Sequence, residues 1–136
     1  MSESSKHIEL VEKCADWICK SLLDGDSGYM YIENPDFPKE KRPQMVYGFV
    51  PDIMVVNAPK YECIIGEAKT ANDIENQHTI DQLSAFLRKC SEVNNSLFVF
   101  AVPWHRTGLA RSIIKYCCRE NNTSDLRIEI LKKLPG

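Results

Sequence analysis

The sequence predicts an α/β fold, a mixed central sheet flanked by helices. Three observations lead to it. Stretches with apolar residues at helical spacing alternate with shorter stretches of strand character. Two of the latter, separated by Ala58-Pro59-Lys60, read as an antiparallel hairpin. Residues 96–102 form an unbroken apolar run, as in a strand buried on both faces.

Residues 7–23 read as the first helix, with Ile8, Val11, Ala15, Ile18 and Leu22 on one face. Asp24, Gly25, Asp26 and Gly28 end it with turn chemistry. A strand over 28–33 follows. Residues 34–43 hold three prolines and five charged residues, the composition of an exposed loop. The hairpin is expected as strands over 45–56 and 61–70. A second helix over 73–90 carries Ile80, Leu83, Leu87 and Cys90 on its apolar stripe. The buried strand at 96–102, a loop at 103–107, a third helix at 108–121 and a last strand at 126–131 complete the chain. The order is helix, strand, hairpin, helix, strand, helix, strand.

At 136 residues, 43% hydrophobic and 26% charged, the chain has the size and balance of a single globular domain, 1–136. No apolar run reaches the roughly 20 residues of a membrane span, so no membrane partner is expected. The polar first six residues lead into no apolar signal segment, so a cytoplasmic, intracellular location is the expectation. The six cysteines contain no Cys-x-x-Cys pair and read as reduced thiols acting as small hydrophobes. A net charge of −2 argues against broad coating of nucleic acid while leaving room for a local basic groove.

One constellation carries chemistry. Pro51-Asp52 lies on the first hairpin strand, and Glu67-Ala68-Lys69 on the second. Residues two apart on a strand share a face, so Glu67 and Lys69 point together, and the hairpin brings Asp52 beside them. Two carboxylates about 4 Å apart repel by roughly 4 kcal/mol at an effective dielectric near 20. Lys69 offsets part of this, and a hard divalent cation, Mg²⁺ or Mn²⁺, offsets the rest. Such an ion polarises a phosphoryl oxygen and activates water, which a lysine can orient or deprotonate. The plain alternative is a salt bridge on an ordinary strand, which leaves the charges beside Ile53–Val56 and Ile64-Ile65 without a reason.

At these residues the sequence resembles the PD-(D/E)XK nuclease superfamily. Pro51-Asp52 matches the first half of the motif and Glu67-Ala68-Lys69 the second, and the element order over residues 7–102 is similar. The resemblance implies a restriction-endonuclease-like fold in which Asp52, Glu67 and the Ala68 carbonyl hold the metal and Lys69 positions the attacking water. Gln82 and Phe86 resemble a Gln-x-x-x-Tyr helix motif of some branches, with phenylalanine in place of tyrosine. Gln82 would then contact substrate or orient Lys69; Gln77, near the helix start, is a poorer match. Many members also carry a glutamate on the first helix. Glu12 fits that role better than Glu9, and reads equally as an exposed acid on an amphipathic helix.

Two loop clusters are further candidates. Trp104-His105-Arg106, past the buried strand, offers stacking and phosphate contact. Lys39, Lys41 and Arg42 offer a phosphate clamp. The expected function is a metal-dependent nuclease that hydrolyses phosphodiester bonds, with DNA the favoured substrate and endonucleolytic cutting the favoured mode. Duplex cleavage would call for a homodimer or a larger assembly. The alternative is a catalytically inactive nuclease-fold subunit that binds nucleic acid or protein.

Overall fold

The computed structural model describes residues 5–123, 125–132 and 134. Helix α1 (Ser5–Leu22) leads into strand β1 (Met30–Ile32), then β2 (Ile53–Val56) and β3 (Cys63–Ala68). Helix α2 (Gln77–Glu92), strand β4 (Ser96–Ala101), helix α3 (Thr107–Asn121) and strand β5 (Ile128–Leu131) follow. The strands form one five-stranded mixed sheet in sequence order. β1, β2 and β3 pair antiparallel, whereas β3, β4 and β5 pair parallel. The order of elements and the mixed sheet therefore agree with expectation. β3 is the strand where the sheet changes from antiparallel to parallel.

Alternation along the strands divides the core between the two faces. Ile53, Val55, Ile64 and Val99 pack against Leu10, Cys14 and Ile18 of α1. Met54, Ile65, Phe98 and Phe100 pack against Leu83, Phe86 and Leu87 of α2 and Ile114 of α3. All six residues of β3 are buried, and β4 exposes little beyond Ser96, as central strands covered on both sides must. Gly66 lies on the α1 face. A Cβ there would stand 3.2 Å from Ile18 Cδ1 and from Ile53 Cβ, so its absence lets α1 sit close on the sheet.

Several bounds differ from expectation, each for a local reason. Of 45–56 only the last four residues are strand. Val46 and Phe49 exchange backbone hydrogen bonds around Tyr47 and Gly48, both at positive φ, which makes a tight turn. Pro51, without an N–H, then delays the ladder. The second helix begins at Gln77 because Asn76 caps it, its Oδ1 accepting from the Thr79 N–H at 2.8 Å; Ala71–Asp73 is a separate 3-10 turn. The face of α1 also differs. Leu10, Val11, Cys14 and Ile18 are buried, while Ile8 is exposed. At about 100° per residue, this turns the helix by roughly 65° from the stripe read in the sequence.

The six cysteines are free thiols, four of them buried. Burial pushes the Cys90 thiol up to about 12. Among the described residues no helix is long and apolar enough to cross a membrane.

Candidate active site

The site forms at one end of the sheet, where β2 starts and β3 ends. Ile53 pairs with Gly66, and one further residue along the same register sets Asp52 opposite Glu67. Each acid is fastened to the other's strand. The Asp52 N–H donates to Glu67 Oε1 at 3.0 Å, and the Ala68 N–H donates to Asp52 Oδ2 at 2.9 Å. The two carboxylates are thus locked side by side through backbone amides, not left to side-chain rotamers.

Glu67 is 2% exposed. Burial lifts its carboxyl well above the usual glutamate range, and the Asp52 carboxylate lifts it further. The Lys69 ammonium and the Asp52 N–H pull it partly back. Lys69 Nζ stands 3.6 Å from Glu67 Oε2. It also donates to Gln82 Oε1 at 2.5 Å, so α2 reaches down to hold the lysine from above. An ammonium has three protons. One is given to Gln82, and Glu67 lies at ion-pair distance, so the ammonium keeps donor capacity for a ligand in the site.

The structure thus brings Asp52, Glu67, Ala68, Lys69 and Gln82 together. It does not bring in Glu12. The rotation of α1 carries Glu12 roughly 145° from the centre of the buried face, where it lines a shallow surface groove with Glu9, Lys13 and Asp16. The same rotation turns His7 inward. His7, in the first turn of α1, places Nε2 3.3 Å from Asp52 Oδ2. His7 was missed in the sequence because the three histidines are not at metal-ligand spacing from one another. The signal lay instead in the helix phase, since His7 falls on the line of Leu10, Cys14 and Ile18. Cys14, on that line, has its thiol raised by burial first and then by Asp52 and Glu67.

Other candidates fall outside this group. Gln77 Nε2 donates to Asp81 on the exposed side of α2. Phe86 is fully buried against Phe98, a core residue with no route to substrate. Arg42 spends its guanidinium on the Phe37 and Pro35 carbonyls and pins its own loop; Lys39 and Lys41 stay exposed beside it.

The donor set fits a hard divalent cation. Among the described residues no group of three or more His, Cys, Asp or Glu side chains is placed to hold an ion alone. That leaves two carboxylates, with backbone and solvent to complete the shell, the arrangement Mg²⁺ favours because it keeps several waters. Backbone help is at hand at Ala68. The β2–β3 register, continued two residues, sets Pro51 opposite Ala68, and proline has no N–H to offer its carbonyl. Comparison with known proteins finds no matching family model, no matching curated protein and no matching solved structure.

Proposed function

We propose that this chain is a Mg²⁺- or Mn²⁺-dependent nuclease of the PD-(D/E)XK type, built on a restriction-endonuclease-like version of the mixed sheet and acting on DNA. One observation carries the reading: Asp52 and Glu67 are fixed side by side by backbone amides, with the Lys69 ammonium 3.6 Å from Glu67. Two carboxylates, Glu67 buried and Asp52 half-buried, face one lysine ammonium and the His7 ring, and a divalent cation would offset their mutual repulsion.

Asp52, Glu67 and the Ala68 carbonyl would hold the ion, with His7 fixing the orientation of Asp52. When bound, the ion supplies charge neutralisation at the scissile phosphate and acidifies water. Lys69 would donate to the attacking water or to a non-bridging phosphate oxygen. Gln82 keeps that ammonium from swinging away, so the geometry exists before substrate arrives. Two such sites, in a homodimer or a larger assembly, would serve the two strands of a duplex.

The test is a screen of labelled linear, circular, branched and single-stranded substrates with Mg²⁺, Mn²⁺ or EDTA. Metal-dependent cleavage lost in Asp52→Asn supports the reading. Binding without cleavage on every substrate supports the alternative, a nuclease-fold subunit that binds without cutting.

A further inference from the structure

Trp104 opens the short 3-10 turn Trp104–Arg106 that follows β4, and the residue is 62% exposed. The turn is fixed at both ends. The Trp104 N–H donates to the Leu134 carbonyl at 3.0 Å, and the Arg106 N–H donates to the Pro103 carbonyl at 2.9 Å. The His105 ring meets the indole at 5.4 Å between centroids and 81°, nearly perpendicular, so it is no parallel stacking partner. The exposed ring of Tyr47 differs, being covered by the Arg88 guanidinium at 4.1 Å, with its hydroxyl donating to Glu92.

The parallel pairing of β3 with β4 limits how far Trp104 lies from the site. Ala68 pairs with Ala101, and the Lys69 N–H donates to the Ala101 carbonyl at 3.0 Å. Trp104 comes three residues after Ala101. Its Cα is therefore within roughly 16 Å of Ala68, adding one strand spacing to three Cα steps. A stacked strand rising about 3.4 Å per nucleotide covers that in about five nucleotides. His105 and Arg106, exposed on the same turn, carry N–H donors suited to phosphates.

We infer that the Trp104 indole is a stacking platform for an unpaired nucleobase of the strand entering the site, which makes single-stranded or frayed nucleic acid the substrate class. The inference rests on the nuclease reading for the identity of the ligand. A paired base keeps its neighbours in the duplex and gains nothing from the indole. A splayed base gains a rigid apolar face beside two donors.

The test separates binding from cleavage. In EDTA, a short labelled oligothymidylate and a blunt duplex of equal length are titrated with wild type, Trp104→Ala and Trp104→Phe, and tryptophan emission is followed with unlabelled strand. Trp104→Ala weakens single-strand binding by about 5- to 150-fold, the range for one base stacked on an aromatic. Duplex binding stays nearly constant, Trp104→Phe recovers most of the loss, and the quenching seen in wild type disappears in both variants. Equal losses on both ligands, no loss on either, or no single-strand binding by wild type overturns the platform. If Trp104→Ala does not fold, Trp104→Phe and the wild-type quenching decide alone. Wild type that cuts with Mg²⁺ while Trp104→Ala binds normally refutes the platform and spares the nuclease. Trp104-dependent binding by a chain that cuts nothing refutes the nuclease and spares the platform.

Discussion

Replacing Glu67 by glutamine removes a titration that the fold makes costly. Glu67 is 2% exposed, and burial together with Asp52 raises its carboxyl well above the ordinary value of 4.5. Between that value and the raised one, the folded chain holds a proton that the unfolded chain has released. Stability therefore falls as pH rises through this window, with a slope of up to about 1.4 kcal/mol per pH unit. Glutamine keeps an oxygen to accept the Asp52 N–H, so the strand contact survives while the titration disappears. Urea unfolding of both proteins in EDTA, from pH 5 to 8, reads the difference directly. The two proteins start close together, and the glutamine variant gains on wild type with each step in pH. The divalent ion then provides an internal control. Mn²⁺ flattens the wild-type profile, because the ion takes over the charge that the proton had cancelled, and it leaves the variant almost unchanged. Parallel profiles for the two proteins in EDTA would refute the account of Glu67.

Three further outcomes follow from the same geometry. Lys69→Ala lowers the cleavage rate by about 10²–10⁴ while isothermal titration shows Mn²⁺ binding retained, since the ammonium is not a ligand. Asp52→Asn abolishes most of the rise in Tm that Mn²⁺ gives wild type; equal rises in both proteins would put the ion elsewhere. Gly66→Ala destabilises the fold by about 1–3 kcal/mol, measured by chemical unfolding, because its Cβ meets Ile18, Ile53 and Cys14 at 3.2 to 3.4 Å.

The sheet and the heart of the site were legible because both depend on short-range pattern. Alternation puts Glu67 and Lys69 on one face, and the turn at Ala58-Pro59-Lys60 folds Asp52 back beside them. Gln82 was legible only through the resemblance, since nothing local ties residue 82 to residue 69. The contribution of α1 was misread because the helix carries apolar residues round more than half its circumference. Ile8, Ala15 and Leu22 make as good a stripe on paper as Leu10, Cys14 and Ile18. The choice between them is made by the surface the helix lands on, where Gly66 leaves room for Cys14 and Ile18. A rotation of one side-chain width exchanges Glu12 for His7. The early end of the strand at 45–56 has a different cause. Tyr47 and Gly48 supply a turn that strand propensity does not register, because tyrosine is itself a strong strand former.

The two amides that fasten the acids have a consequence for tracing descent. Asp52 and Glu67 each accept a backbone N–H at the end of the β2–β3 pair, from Ala68 and from Asp52. A relative of this chain without the proposed activity would still draw on both carboxylates at the end of the sheet. Persistence of the acid pair among relatives thus measures selection for folding as much as for turnover. Lys69 and Gln82 bear on the ion pair and on each other, with no seam in the backbone to mend. Drift at those two positions, with the acids retained, is the signature by which a silent lineage would first be told from an active one.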